Sequence, residues 1–290
     1  MSDAGRERSL GMCPLSLPKP IMHPFLCATC GTQFPPSATP PEGCAICADE
    51  RQYVGTGGQR WTTLDDLRRT HRNAFQRLEP DLYGIGSEPH FAIGQRALLV
   101  RTPAGNVLWD CIALLDDATL DIVRALGGLS AIAISHPHYY TTMVEWAHAF
   151  DAPVLLHAAD REWVMRPDPA IEFWDGDAHP LGGGATLVRC GGHFEGGTVM
   201  HWAAGAGGRG ALLTSDIIQV VQDRRWVSFM RSYPNLLPLD AARVERIAAA
   251  VKPYAFDRIY GAWWGLHVDQ DARGAVARSA ARYLEALRGS

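Results

Sequence analysis

Short apolar runs and segments with helical periodicity alternate along most of the chain. Short apolar runs predict strands at residues 96–101, 106–110, 131–134, 153–157, 185–189, 198–202, 211–214 and 256–260. Helical patterns predict helices at residues 118–126, 142–150, 159–165, 241–251 and 271–287. Several strands follow each other without a helix between them, which indicates mixed sheets with helices outside. The pattern therefore predicts an α/β fold.

The part of the chain before residue 90 follows other patterns. Residues 1–22 have no clear period, which predicts an N-terminal arm. A helix over residues 61–78 is predicted by apolar residues at helical spacing, namely Leu64, Leu67, Phe75 and Leu78. We therefore divide the chain into an arm (1–22), a cysteine module (23–55), a helical linker (56–89) and a main domain (90–290).

Four cysteines of the cysteine module form two Cys-x-x-Cys pairs, Cys27 with Cys30 and Cys44 with Cys47. Each pair makes a tight turn that directs two sulfurs at one ion, and two such turns supply the tetrahedral set that zinc prefers. The Pro-rich stretch 34–41 cannot build a core, so a bound metal ion would supply most of the folding free energy of the module. Two disulfides or four free thiols are the alternatives.

The cysteine module resembles zinc-ribbon and rubredoxin-like knuckles, since Cys30-Gly31 matches a common knuckle ending. A rubredoxin would hold iron and carry electrons. The second pair, followed by Ala48, lacks the Pro and Gly usual in rubredoxins. The resemblance therefore implies a structural zinc ion.

Composition excludes several classes of partner. The chain has 290 residues, 47% of them hydrophobic, with a formal net charge of -4 and a sequence pI of about 6.2. This balance gives no reason to expect a nucleic acid or an anionic membrane as partner. No apolar run reaches the length of a membrane span, and the first 20 residues lack the apolar core of a secretory signal. With thiolate ligation favoured over disulfides, we expect a cytoplasmic protein.

The predicted strand 131–134 is followed directly by Ser135-His136-Pro137-His138. Two histidines two residues apart leave a strand end on the same side, because side chains repeat with period two, so they can share one metal ion. Pro137 between them suits a stiff loop. Two histidines packed in an ordinary turn are the alternative. Two further candidate ligands are His193, in a glycine-rich turn between strands, and Asp216, at the end of a strand.

The order of these motifs resembles that of the metallo-β-lactamase superfamily, over about residues 90–285. A hairpin ending in Asp110 is followed by the His-x-His motif, then by the histidine with adjoining glycines, then by the strand that ends in an aspartate. The resemblance implies an αββα sandwich with the metal at the edge where strand-end loops meet. It implies that His136, His138 and His193 bind the first metal, that Asp216 touches or bridges metal, and that Asp110 braces the histidine loop.

The chain departs from the family pattern at the second metal site. The family has Asp and then His where this chain has Tyr140 and Thr141, and the final family histidine is missing after the strand that ends at residue 260. The next histidine after that strand is His267. We leave it out of the ligand set. The resemblance therefore implies a single ion held by three histidines and one aspartate. Zinc, iron(II) and manganese(II) all accept these ligands, and zinc or iron is our expectation.

The expected function is that of a metal-dependent hydrolase that uses metal-activated water on an ester, lactone, thioester or amide. Asp216 would orient the water. Tyr139 or Tyr140, of which we select Tyr140, would donate a hydrogen bond to the developing oxyanion. Packing is the alternative for both tyrosines. Two other classes stay open. One is a mononuclear iron oxidoreductase resembling persulfide dioxygenases, and the other is a non-catalytic binding module. The chain has no Gly-x-Ser-x-Gly elbow and no phosphate-binding loop.

We expect a small-molecule substrate, with an organic anion as the candidate class. Rings for apolar contact and guanidinium groups for a carboxylate or phosphate occur together at Arg224, Arg225, Trp226, Phe229, Arg231, Tyr233, Trp263 and Trp264. Core tryptophans and solvated arginines are the alternative. The sequence leaves open the oligomeric state and the position of the cysteine module relative to the site.

Overall fold

Two β-sheets stacked face to face form the centre of the molecule, with helices on both outer faces. The structure, a computed structural model, describes residues 20–289, so most of the predicted arm (1–22) lies outside the described residues. No helix within residues 20–289 combines the length and the apolar character that crossing a membrane requires.

The strands are numbered in chain order: β1 (His23–Cys27), β2 (Gln33–Ser37), β3 (Trp61–Thr62), β4 (Arg72–Glu79), β5 (Leu82–Glu88), β6 (Arg96–Val100), β7 (Val107–Trp109), β8 (Ala131–Ala133), β9 (Val154–His157), β10 (Ile171–Trp174), β11 (Ala178–Gly182), β12 (Ala185–Arg189), β13 (Thr198–Trp202), β14 (Ala211–Leu213), β15 (Gln219–Val220), β16 (Val227–Ser228), β17 (Met230–Ser232), β18 (Leu237–Pro238), β19 (Arg258–Tyr260) and β20 (His267–Val268). The helices are α1 (Ala45–Ala48), α2 (Leu64–Thr70), α3 (Asp117–Ala125), α4 (Met143–Phe150), α5 (Gly205–Gly208), α6 (Ala241–Val251) and α7 (Ala272–Arg288). Short 3-10 helices span Pro137–Tyr139 and Ala158–Trp163.

The strand order within the described residues gives two large mixed sheets, one three-stranded sheet and two two-stranded sheets, β15-β16 and β17-β18. The seven-stranded sheet runs β10-β9-β8-β7-β6-β5-β4, and the six-stranded sheet runs β11-β12-β13-β14-β19-β20. Side chains of both sheets, such as Trp109, Ala133 and Met200, pack together between them. Helix α4 covers the outer face of the seven-stranded sheet, and α6 and α7 cover that of the six-stranded sheet. These layers are those of the predicted αββα sandwich.

The strand pairing brings the candidate ligands to one edge of the sandwich. Strands β7 and β8 run parallel, with Trp109 opposite Ala133, so the loops that follow them leave at the same edge. The backbone N–H of Thr198, the first residue of β13, donates to the Ser135 carbonyl at 2.9 Å. This bond brings the turn between β12 and β13 beside the His-x-His loop.

The cysteine module contains the small sheet β2-β1-β3, whose last strand comes from residues 61–62, and the short helix α1. Gly31 has a φ of +81°, and a Cβ atom there would lie 3.3 Å from the Thr141 side chain. The N–H of Gln33 donates to the Thr141 carbonyl at 3.1 Å. The module therefore packs directly on the segment that follows His138.

The predicted helix over residues 61–78 is wrong beyond Thr70. Leu64 and Leu67 lie on α2 and are buried, as the predicted helix requires, but Phe75 and Leu78 lie on β4. Exposure alternates along the first five residues of β4, which is the period of a strand. The spacing of four apolar residues concealed this change of period, and β4 and β5 join the seven-stranded sheet instead of forming a helical linker.

The other predicted elements are largely confirmed. The hairpin of β6 and β7, the strands β8, β9, β12, β13, β14 and β19, and the helices α3, α4, α6 and α7 all lie at the predicted places. The predicted helix at 159–165 is the 3-10 helix Ala158–Trp163. Strands β10 and β11 were not predicted.

Candidate metal centre

Four side chains of suitable chemistry converge at the edge of the sandwich. The ligand atoms of His136, His138, His193 and Asp216, hereafter the His/Asp group, all lie within 4.8 Å of one another. None of the four residues is more than 5% exposed. The His-x-His loop leaves β8, His193 lies in the turn 190–197 between β12 and β13, hereafter the His193 turn, and Asp216 follows β14. The structure thus brings together all four residues predicted from sequence.

Hydrogen bonds to neighbouring residues engage the outer ring nitrogen of two histidines of the His/Asp group. Nδ1 of His136 lies 2.9 Å from the Ser135 hydroxyl, and Nδ1 of His193 lies 3.1 Å from the Met230 carbonyl. The carbonyl can only accept, so Nδ1 of His193 carries the proton and Nε2 presents a lone pair. Nε2 of His193 lies 3.2 Å from Nδ1 of His138, close to the edge of about 3.3 Å expected when zinc binds two imidazoles tetrahedrally.

Three buried atoms of the group have no hydrogen-bond partner within the described residues. They are Nε2 of His136, Nε2 of His138 and Oδ1 of Asp216. Unpaired polar atoms in a protein interior are costly, and a divalent cation would pair with the donor atoms that face the centre of the group. The donor set therefore fits a metal ion that accepts nitrogen and oxygen ligands.

Burial shifts the acid–base equilibria of the group. Burial lowers the pKa of His193 to about 4 and lowers the pKa of His136 and His138 well below the ordinary value. These imidazoles are therefore neutral at physiological pH, which is the form that binds metal. Burial also raises the pKa of Asp216 to about 7.

Asp110 holds two of the ligand-bearing loops together, as the family resemblance implies. Its carboxylate accepts a hydrogen bond from the N–H of Ser135 at 2.8 Å and another from the hydroxyl of Ser215. These residues directly precede His136 and Asp216. Asp110 itself is buried and has a φ of +60°, a conformation that Asp and Asn tolerate better than other side chains with a Cβ atom.

We expect Asp110→Ala to lower the free energy of unfolding by about 2–4 kcal/mol, because two buried donors lose their acceptor and Ala fits the left-handed backbone poorly. Asp110→Asn should cost less, since one oxygen still accepts and Asn tolerates this conformation. Urea unfolding of the metal-free proteins measures both values. An Ala variant as stable as the wild type would show that the brace contributes nothing.

The two adjacent tyrosines point to different surroundings. The Tyr139 ring lies 4.5 Å from the His136 ring, and its buried hydroxyl has no hydrogen-bond partner within the described residues. Burial and the charge of Asp216 raise the pKa of Tyr139, whereas burial and the charge of Asp160 raise the pKa of Tyr140. Of the two, only Tyr139 has a described contact with a residue of the His/Asp group. The position of the oxyanion donor therefore fits Tyr139 better than Tyr140, which we selected from the sequence.

The four cysteines of the module form a second candidate site. Their sulfurs all lie within 4.8 Å of one another, with Cys27 and Cys47 3.6 Å apart and Cys30 and Cys44 3.6 Å apart. These distances exceed the disulfide bond length of about 2.05 Å and match the edge of about 3.8 Å expected for tetrahedral zinc thiolates. All four cysteines are free and buried. The geometry therefore fits a tetrahedral metal ion.

A protein of Bacillus subtilis is closely similar to this chain in sequence. The chain is 52% identical over 265 residues to uncharacterized protein YmaE of Bacillus subtilis (strain 168), which covers 91% of this chain and 96% of that protein. This chain belongs to the family of YmaE. No protein-family model matches the chain.

Solved structures show the fold that the YmaE family member described here adopts. The metallo-β-lactamase DIM-1 superposes with a TM-score of 0.56 at 14% identity and covers 74% of this chain and 98% of its own. VMB-1 gives a TM-score of 0.56 at 13% identity, with 74% and 98% covered. The metallo-β-lactamase SMB-1 gives 0.50 at 19% identity, with 71% and 92% covered. The predicted metallo-β-lactamase fold is confirmed.

Most residues of the predicted anion-binding cluster lie away from the His/Asp group. Phe229 packs in the core under α6 and α7, Trp226 stacks on Arg282, and Trp264 packs on β5. Tyr233 does approach the group, since its hydroxyl donates to the Asp216 carbonyl at 3.0 Å. His267, left out of the ligand set, lies 3.4 Å from Asp269.

Asp160 is a residue of the site region that the sequence analysis did not identify, because it lies within the predicted helix 159–165. It is buried, and its carboxylate accepts a hydrogen bond of 2.7 Å from the N–H of Gly196 in the His193 turn. Burial raises its pKa to about 7. Its position just after β9, whose end lies at the same edge as that of β8, is the signal that would have revealed it.

We predict that Asp160 makes stability depend on pH near neutrality. The folded protein holds this proton up to a pKa of about 7, whereas the unfolded chain loses it near pH 4, so stability falls as the pH rises through 7. Relative to Asp160→Asn, the wild type should be about 1 kcal/mol more stable near pH 6 than near pH 8.5. Denaturant unfolding at both pH values measures this. Parallel pH profiles of the two proteins would contradict it.

Proposed function

We propose that this protein is a metal-dependent hydrolase with a mononuclear centre formed by the His/Asp group. The observation that carries the proposal is the convergence of three neutral imidazoles and one carboxylate, all buried, with their ligand atoms within 4.8 Å of one another. The metallo-β-lactamase fold and the aspartate brace support it. Tyr140 and Thr141 occupy the positions of the family's second-site ligands, which supports one ion instead of two.

Each residue of the site has a chemical task in this proposal. Zinc or iron held there would polarise a substrate carbonyl and make a water molecule more acidic. Asp216 would orient the water through Oδ1 and accept its proton. Tyr139 would donate its free hydroxyl hydrogen to the oxygen that gains negative charge, the task predicted for Tyr139 or Tyr140. The substrate would be a small ester, lactone, thioester or amide.

We propose that the cysteine module holds a structural zinc ion. The sulfur distances support a tetrahedral metal ion, and the absence of Pro and Gly in the second pair supports zinc over iron. The four free cysteines also support our proposal of a cytoplasmic protein. The division into arm, cysteine module and main domain likewise stays a prediction, apart from the helical linker, and so does an organic anion as substrate.

One observation favours a second candidate function. A catalytic zinc ion usually has three protein ligands and one open position, whereas four buried protein ligands are typical of a structural site. The exposed fraction of Asp216 is only 5%, and the cysteine module packs over the His193 turn. A non-catalytic binding protein with two structural ions would have this geometry. Catalysis requires the covering segments to move and admit the substrate.

Elemental analysis and an activity screen decide between these functions. The full chain is purified without added metal, and its metal content is measured beside hydrolysis of esters, lactones, thioesters and amides. Two zinc ions with hydrolysis that a chelator abolishes would support the proposal. Two ions without hydrolysis would favour the binding protein. One zinc and one iron ion with oxygen uptake would indicate an iron oxidoreductase.

A further inference from the structure

We propose that Arg51 of the cysteine module is a positioning residue for His193 and couples the two metal sites. The inference rests on the proposed function only in that the His/Asp group binds a metal ion. Arg51 lies in the segment after α1 and is only 8% exposed. It touches no candidate ligand side chain in the described contacts, so its role would be exerted through the backbone of the His193 turn.

Arg51 makes three contacts with the surroundings of His193. Its Nη1 donates to the His193 carbonyl at 3.4 Å. Its guanidinium carbon lies 3.9 Å from the centre of the Phe194 ring and 4.9 Å from that of Trp163. Phe194 in turn packs against the rings of His138 and His193, at 5.0 Å and 5.3 Å between centroids. The guanidinium thus holds the backbone of one ligand and the ring that supports two of them.

The cysteine pairs determine where Arg51 stands. Its Nε and Nη2 bind the carboxylate of Asp49 in a bidentate pair, at 2.5 Å and 2.9 Å. Asp49 is the C-cap of α1, the helix that contains Cys47. Because the fold of this short segment depends on the cysteine-bound ion, the position of the guanidinium should depend on it too.

A second chain of contacts leads from Arg51 to the other side of the imidazole. The Arg51 carbonyl accepts a hydrogen bond from the Ser232 hydroxyl at 3.1 Å. Ser232 ends β17, and Met230 at the start of that strand accepts the Nδ1 proton of His193. The module therefore constrains both the backbone and the ring orientation of this ligand. Groups that orient a metal ligand typically change metal affinity by about 10–100-fold when they are removed.

Cobalt(II) titration of the full chain tests the coupling. Thiolate and imidazole sites have different absorption bands with cobalt(II), so the affinity of each site is measured separately in competition with a chelator. We expect Arg51→Ala to weaken the His/Asp site by about 10–100-fold while the cysteine site still fills. Arg166→Ala is the matched control, because Arg166 also ties the module to the main domain, through Gln33 and Glu145, without touching the His193 turn.

The reciprocal experiment uses Cys27→Ser, Cys30→Ser. Because the position of Arg51 should depend on the cysteine-bound ion, loss of that ion should also weaken the His/Asp site. By linkage, filling the His/Asp site should in turn strengthen cobalt binding at the cysteines of the wild type. Arg51→Lys keeps the charge but not the bidentate pair with Asp49, and we expect an intermediate affinity. If circular dichroism shows that Arg51→Ala does not fold, the affinity of the His/Asp site in Arg51→Lys is compared with the Arg166→Ala control instead.

The outcomes separate this inference from the proposed function. A wild type that takes up cobalt only at thiolates overturns both. Suppose that the wild type has both sites and that the Arg51 variants bind cobalt at the His/Asp group as tightly as the wild type does. This result overturns the coupling and leaves the proposed function standing. An equal loss in the Arg51 and Arg166 variants also overturns it, since general loosening of the module would then be the cause.

Discussion

Replacing His193 by Ala is expected to leave the chain with one metal ion, whereas we expect two in the wild type. His193 supplies one of four candidate ligands, and its ring lies 4.9 Å from that of His136 and 5.0 Å from that of His138 between centroids. Removing it leaves two imidazoles and a carboxylate in a buried space that Ala does not fill. Hydrolysis should fall by more than about 100-fold, since even groups that only orient a ligand contribute 10–100-fold.

The measurement is elemental analysis of the purified variant together with the hydrolytic rate. His201→Ala is the matched control, because His201 is also a largely buried histidine but lies on β13, outside the His/Asp group, and bonds to the Ala255 carbonyl. The control should retain both ions. If His193→Ala also retains both ions, the ligand assignment is wrong.

The double variant Cys27→Ser, Cys30→Ser should lose the cysteine-bound ion and most of the structure of the cysteine module. Structural zinc contributes an apparent binding free energy of about 10–16 kcal/mol, and here that free energy is folding free energy. The module has few apolar residues besides the cysteines in its own buried cluster, with Ile46 as the central one. Without the ion this cluster is too small to hold the segment folded.

Limited proteolysis and hydrogen exchange measure this effect. Cleavage and fast exchange should be confined to the module, while the two large sheets stay protected, because their cores consist of other residues. Cys111→Ala removes a buried free thiol outside both groups and serves as the control. A double variant that keeps its ion and its protection would show that the four cysteines are not a metal site.

Much of the candidate site could be predicted because its chemistry is local in sequence. Two Cys-x-x-Cys pairs direct their sulfurs through the geometry of each turn, and a His-x-His motif after a strand end presents both rings on one side. His193 and Asp216 also follow strands, and strand ends meet at a sheet edge. The apolar pattern likewise predicted most strands and helices, because burial on one face leaves a regular period.

Local patterns were misleading where two periods fit the same few residues. Phe75 and Leu78 satisfied a helical spacing but belong to β4, where pairing with β5 overrides the local preference. The choice between Tyr139 and Tyr140 depended on the direction of a single 3-10 turn, which the sequence does not display. Asp160 lies within a predicted helix, and only the structure shows its hydrogen bond with the His193 turn.

From the sequence, residue types at strand ends and turns predicted the candidate ligands of both groups, and the resemblance to the metallo-β-lactamase superfamily implied the fold and the single ion of our proposal. Only the tertiary structure showed that the cysteine module covers the His/Asp group and that Arg51 reaches the His193 carbonyl across 142 positions of the chain. Such contacts depend on how separate segments pack, and packing over long sequence separations leaves no periodic trace in the order of residues.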